Sequence, residues 1–427
     1  MLSWFASQYG NRDVEYQDAL NALARAELPN LANVLMECIG ADDSAHLEFD
    51  SGYDARPPIN HLFAAGDLTI RGDCHLAGWL RAGSHIRSDG NICAQSGITS
   101  GASIQVAQNV RSNGAISSGG RIDVGGNLTA DAHIHSGYAI TSGGDIQAGA
   151  HIEAGQEAQR VLDALAAIYD TDDCQENPIT TAFKALLEAS SGVSDPFAEI
   201  AKGRLFFSVK SGRGINAETD LSCVGAICSG GTIRVGGAIH ARGEICSSAS
   251  IFAGSVLGAT SLRSAKRVSI DGNLSVTGNI SVHGDLFVGG DVVLADPRLS
   301  DIKVGGVLRT DGSISCVGPV TAVAITAGGN VSAGSLRTTG DLVADGEICV
   351  RRHIACSLGS VSANGSIFAS GSIQAGSSVR SSGEIFYGAG YGLFAGTSTR
   401  SSVATPEHRS SQSAEAKTDT PTEGDVA

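Results

Sequence analysis

The sequence predicts a mainly β fold, a parallel triangular β-helix solenoid built on hexad repeats, with a small α-helical N-terminal region and a helical insertion. Three observations carry this reading. From Leu62 to Ile152 an aliphatic residue, once a cysteine, stands at every sixth position: Leu62, Leu68, Cys74, Leu80, Ile86 and on through Ile140, Ile146 and Ile152. Two places after each comes Ala, Ser or Val in most hexads. The next two places are rich in glycine, as in ISSGGRIDVGGN from Ile116.

Residues i and i+2 of a strand share a face, so the large aliphatic and its small partner both point inward, and the glycines turn the corner. Three short strands close a coil of about eighteen residues, and coils stacked about 4.8 Å apart bury the aliphatic columns as ladders. Neither a helical period nor an alternating long strand reproduces a six-residue beat of this length. Composition agrees: 56 glycines, 9 prolines and 5% aromatics among 427 residues suit thin aliphatic layers better than a globular enzyme core. A solenoid grows by adding coils, so chain length measures rod rather than domain number.

The chain reads as five segments. Residues 1–60 form a helical N-terminal region. Val14 to Leu28 and Leu31 to Ile39 have helical spacing, with Pro29 as a break. Their expected role is to cover the first coil, whose strand edges and core are otherwise open. The alternative is a partner-binding element, with the apolar start Met1 to Phe5 as a weak membrane contact. Residues 61–154 are the first β-helix block. Residues 155–204 are a helical insertion, with an amphipathic helix over Gln156 to Tyr169 and a second over Thr180 to Ala189. Its expected role is packing on the β-helix, against a docking role.

Residues 205–396 are the second block. Its column runs Val209, Ile215, Leu221, Ile227, Ile233, Ile239, Ile245, Ile251 and Leu257, then steps to Leu262 by a one-residue deletion. It continues through Val268, Leu274, Ile280, Leu286 and Val292 to a loop at Asp296-Pro297-Arg298. Ile302, Leu308, Ile314 and Val320 follow, the step shortens at Ile325 and Leu336, and the column ends at Ile385. The pattern leaves open whether the blocks stack end to end or lie side by side. Residues 397–427, rich in Ser, Thr, Pro, Glu and Ala, are expected to be a disordered tail.

A formal charge of −15 argues against nucleic acid or an anionic membrane as the main partner. Arg81, Arg87 and Arg111 fall on different faces and build no nucleic-acid track. The ten cysteines form no regular framework, and neither a signal-peptide pattern nor a bilayer-length apolar run is visible. The expectation is a cytoplasmic protein with reduced thiols.

The repeated phrasing IxAGGxI, seen in ITSGGDIQAGAHI from Ile140 to Ile152 and ITAGGNV from Ile325 to Val331, resembles the β-helical region of bactofilins and of flagellar-assembly-A-type proteins. The resemblance covers about 280 residues of a low-complexity beat. It implies a right-handed β-helix and a bacterial, polymer-forming cytoskeletal scaffold that joins end to end into filaments without nucleotide, in the cytoplasm or peripheral to the inner membrane. The chain departs from that pattern in its two blocks, its insertion and its N-terminal region, any of which could block a polymerising end.

Candidate sites are few. Phe386, Tyr387, Tyr391, Leu393 and Phe394 gather on the last coil of a chain poor in aromatics. They either plug the core end or form the surface on which one copy meets another. The competing enzyme reading is a left-handed hexapeptide-repeat acyltransferase or carbonic-anhydrase-like trimer, whose histidine would come from His133, His135 or His151. The plainer reading of these histidines is a polar corner column shared with Asn91, Ser103, Asn109 and Asn127. Cys228 and Cys246 should stack outward on neighbouring coils, as a soft-metal or oxidisable pair or as free thiols. Cys223, Cys316 and Cys356 fill small inward positions. The glycine run Gly388 to Gly396 lacks the lysine and helix of a phosphate loop. The sequence therefore favours a self-associating scaffold with no catalytic residue, metal or cofactor and an unspecified protein partner, over the enzyme and over an adhesive rod.

Overall fold

A computed structural model describes residues 16–25, 29–32, 35, 46–50, 60–155, 208–296, 300–396 and 398–401. The helical insertion, the start of the chain, most of Leu31 to Ile39 and nearly all of the tail lie outside these residues. The chain divides into two compact units, residues 1–263 and 264–427, and each is a parallel β-solenoid of short strands.

In the first unit each three-residue strand pairs in parallel with the strand one coil away, and ladder residue faces ladder residue. One face stacks Leu68, Ile86, Ile104, Ile122 and Ile140. A second stacks Leu62, Leu80, Ile98, Ile116, Ile134 and Ile152. A third stacks Cys74, Ile92, Val110, Leu128 and Ile146. Strand after strand reads buried, open, buried, as the hexad predicts. Removing each aliphatic from water contributes about 1.5–3 kcal/mol.

The ladder crosses the insertion without losing a rung. Ile140 pairs with Val209, Ile146 with Ile215 and Ile152 with Leu221. The two sequence blocks therefore meet here as consecutive coils, and the insertion leaves and re-enters at one corner, beginning at Gly155 with φ of 94°. This answers the question of stacking that the hexad pattern leaves open.

Most corner glycines are needed for close approach rather than for a left-handed backbone. A Cβ on Gly114 would lie 1.6 Å from the Ser96 carbonyl oxygen of the coil before. The corners also explain the small inward serines. Buried Ser136 donates its hydroxyl to the Gly120 carbonyl at 2.6 Å and the Ala139 carbonyl at 2.8 Å. Ser211 does the same to Gly144 and Gly214. These corner carbonyls, which also accept backbone N–H bonds from neighbouring coils, gain a second donor from inside.

The N-terminal region holds a helix, Tyr16–Arg25, whose Ala19, Leu20 and Leu23 are buried with Ala32, Leu35, Phe63 and Ala65, with Trp79 packed alongside. It covers Phe63, an outward residue of the first coil, down to 1% exposure. The region is not purely helical, as its sequence suggests. His46–Asp50 is a strand that pairs in parallel with Asp67–Arg71, Leu47 facing Leu68, and extends that face by a rung.

One register reading is corrected. The column after Ile251 passes through Val256, not Leu257. Val256 pairs with Ile239 and is fully buried, whereas Leu257 faces His240 and is 38% exposed. The shortened step lies between Ile251 and Val256, where the pairing shifts and Gly254 crowds the carbonyls of Gly236 and Gly237. Leu257 falls on the six-residue beat, but a corner one residue shorter puts it outside.

The second unit tolerates more variation in its corners. Ile280, Ile302, Val320, Leu336, Ile354, Ile373 and Leu393 form one column. Coil offsets in this unit include 22 residues at Asp285 to Val307, 17 at Asn330 to Glu347 and 19 at His353 to Ser372. The shortened steps at Ile325 and Leu336 fall where the sequence places them, and both residues are buried. Length changes are absorbed at corners while the ladders stay in register.

Ile116→Asp, in the middle of a ladder, is expected to cost about 4 kcal/mol or more of local stability in chemical unfolding followed by hydrogen exchange. Unchanged protection of the neighbouring coils would overturn the register. The pair Val256→Asp and Leu257→Asp separates the two possible columns. The first should lower the melting temperature by several degrees and the second should change stability by about 0.5 kcal/mol or less. Reversed effects would restore Leu257 to the core.

Candidate functional site

At many corners the residue just before the ladder position has a repeated task. Its backbone N–H points along the stack at a corner, and the side chain of its counterpart one coil away accepts that bond. Asn127 N–H donates to Asn109 Oδ1 at 2.7 Å, and Asp145 N–H to Asn127 Oδ1 at 2.9 Å. Across the insertion, Gly214 N–H donates to Asp145 Oδ1 at 2.8 Å. Histidines serve in the same way: His61 Nδ1 accepts from Trp79 N–H at 3.2 Å and His353 Nδ1 from Ser372 N–H at 3.0 Å.

His133 and His151 belong to this corner column. Their rings stack at 4.8 Å between centroids with 14° between planes. His135 lies one residue past the ladder, on the outer face, with Nδ1 3.4 Å from Glu153. Among the described residues no three His, Cys, Asp or Glu side chains converge as a metal site would require. Arg81, Arg87 and Arg111 sit on strands of three different faces, as their spacing predicts.

A depression of about 390 Å³ is lined by Glu153, Ser222, Cys223, His240, Arg242 and Leu257. Its thiol and imidazole do not make a nucleophile and base. Cys223 points into the core, and burial pushes its thiol up to about 12, so it stays protonated at neutral pH. Burial likewise raises Cys74 to about 12 and raises Cys316. Inward Cys356 places Sγ 2.8 Å from the Gly340 carbonyl. These are the core fillers the hexad position predicts. Cys228 and Cys246, in contrast, face each other on adjacent outer rungs, half-buried.

The aromatic group at the last coil is split by the strand pleat. Leu393 continues the ladder above Ile373, and Ile385 above Ile367. Phe394 and Phe386 therefore point outward, in register with Gln374 and Phe368. Phe386 stacks on Phe368 at 4.8 Å, nearly parallel, and Tyr391 meets His353 edge-on at 5.3 Å. Neither phenylalanine covers the core, so the plug reading does not hold for these two. Phe394 is 60% exposed, Tyr391 52% and Phe386 38%; Tyr387 and Leu393 are half-buried. Outward aromatics elsewhere are covered: Arg234 lies 5.4 Å over Phe252 and Arg267 4.6 Å over Phe287. The glycine run from Gly388 forms a turn, with Tyr391 N–H on the Gly388 carbonyl at 3.0 Å and Gly390 at φ of 81°.

No family model, curated protein or solved structure matches the chain. No helix among the described residues is long and apolar enough to cross a membrane.

His133→Ala should leave the zinc content of the purified protein unchanged, as measured by elemental analysis. One zinc per chain, lost on this substitution, would favour the enzyme reading.

Proposed function

We propose that the protein is a structural scaffold, a β-helix of the bactofilin kind that joins a second copy through its last coil without nucleotide, cofactor or catalysis. The carrying observation is the difference between the first and last coils. At the start of the first unit the ladder residues Leu62, Leu68 and Cys74 are at most 7% exposed, beside a packed helix and an added strand. At the end of the second unit the ladder residues Ile385 and Leu393 are half-buried, beside three exposed aromatics. Among the described residues the strands Ile385–Phe386, Leu393–Ala395 and Ser398–Ser401 have partners on the inner side alone.

Such an end offers free backbone donors and acceptors together with apolar area, the two ingredients of strand-edge association. With the first coil of the first unit covered, self-association through this last coil closes into a two-fold pair. A filament needs a second open end. The eight free cysteines among the described residues support a reducing compartment.

The test is the solution mass of the full chain by light scattering, with electron microscopy. Twice the chain mass is expected for the parent, and half of that for the double substitution Phe386→Glu and Phe394→Glu with an unchanged melting curve. A monomeric parent, or a variant that still pairs, would overturn the use of this end. Filaments in the parent would show that the first coil also joins.

A further inference from the structure

The outer face that runs past Val209, Ile227 and Ile245 carries one feature that self-association does not use. Lys210, Cys228 and Cys246 follow one another on consecutive rungs, Lys210 in register with Cys228 and Cys228 with Cys246. Beyond Cys246 stands Arg263, whose guanidinium lies 3.3 Å from Glu244 on the Cys246 strand. Both thiols are half-buried on the outer surface, unlike the core fillers Cys74, Cys223, Cys316 and Cys356. Two thiols thus face each other between two cations, with one carboxylate beside them.

We propose that Cys228 and Cys246 form a two-coordinate site for a soft monovalent d10 cation of the copper(I) class. Geometry selects the ion. Adjacent parallel strands stand about 4.8 Å apart. Two metal–thiolate bonds of about 2.3 Å, set in line, span about 4.6 Å and match that spacing, so turning the two side chains out of their mutual hydrogen bond seats the ion with neither strand moving. A disulfide needs the Cβ atoms within about 3.5–4.5 Å and so requires the rungs to close up. Zinc requires four ligands in a tetrahedron, and no third His, Cys, Asp or Glu joins the pair among the described residues. Thiolate ligands favour copper(I) among the soft ions that accept a linear pair.

Charge agrees with geometry. Two thiolates holding one monovalent cation carry a single negative charge, and Lys210, Arg263 and Glu244 together bring the assembly to neutrality. Binding converts two thiols and one cation into a bis-thiolate complex and two protons, with no change of oxidation state. The site is prepared for the first of these protons. The hydrogen bond from the Cys246 thiol holds Cys228 below the ordinary thiol range, aided by Lys210 and Arg263 and opposed by burial and Glu244. The same bond, with burial, raises Cys246. Apparent affinity should rise with pH, since both thiol protons leave on binding.

The test uses the reduced full chain under anaerobic conditions, with copper(I) buffered by a chromogenic chelator. One equivalent should bind in competition with the chelator, and Cys228→Ser and Cys246→Ser should each lower that affinity at least tenfold. Cys93→Ser, a half-buried outer thiol on another face, should retain it. In the parent, bound copper(I) should protect Cys228 and Cys246 from alkylation, read by peptide mass spectrometry. Undiminished uptake by folded Cys228→Ser, protection confined to other cysteines, or displacement by equimolar zinc would each overturn the site.

Discussion

The constraint on which the structure depends is that every strand must sit in register on the strand one coil away, with its large aliphatic over a large aliphatic. Ile122 lies between Ile104 and Ile140, and Ile134 between Ile116 and Ile152. Only this registry buries both faces of each aliphatic layer while pairing the backbone of strands three residues long. The corners adapt to it rather than the reverse. Coil offsets of 17, 18, 19 and 22 residues occur with no slip of the ladders, and a 69-residue offset carries Asp145 to Gly214 across the insertion. A segment that leaves and returns at one corner disturbs no rung of the ladder, and closure entropy grows only slowly with its length.

Corners are where side chains bond the backbone, and the same positions recur to do so. A serine at the small inward place serves a carbonyl, and an Asn, Asp or His before the ladder residue serves an N–H. The polar corner column therefore has a structural cause for its composition. This weakens any functional reading of His133 and His151, since His61 and His353 show what a histidine in that place does. A carboxylate there is held acidic for the same reason. The backbone N–H and side chain of Asn91 both donate to Asp73 and keep its carboxyl below the usual range.

Most of the fold was legible because the inward positions are spaced by a fixed count, and that count is written in single residues. It failed where two apolar residues stand side by side. Val256 and Leu257 both suit a ladder, and only the pairing of Val256 with Ile239 decides between them. The strand His46–Asp50 was hidden for a different reason. Its residues alternate half-buried with exposed, with no fully buried position, so the pattern of a two-faced strand never forms. At the last coil the aromatic cluster was visible as composition, but composition carries no pleat. The roles of Leu393 in the ladder and Phe394 outside it follow from the register with Ile373 and Gln374.

A solenoid of this kind limits the chemistry it can hold. Outward residues are presented in straight columns, so the nearest neighbour of any side chain is its counterpart one coil away, and convergent groups of three or four ligands are hard to build. Pairs are easy. His133 with His151, Phe368 with Phe386 and Cys228 with Cys246 are all products of the same spacing. Of these, the histidines sit at a corner where ring stacking accounts for them, and the phenylalanines lie on the outer face of the last two coils. The cysteines lie on consecutive outer rungs of one strand face, and nothing in the packing needs a thiol at an outer position. A pair whose identity the fold does not require is the place to look for chemistry that the fold did not dictate.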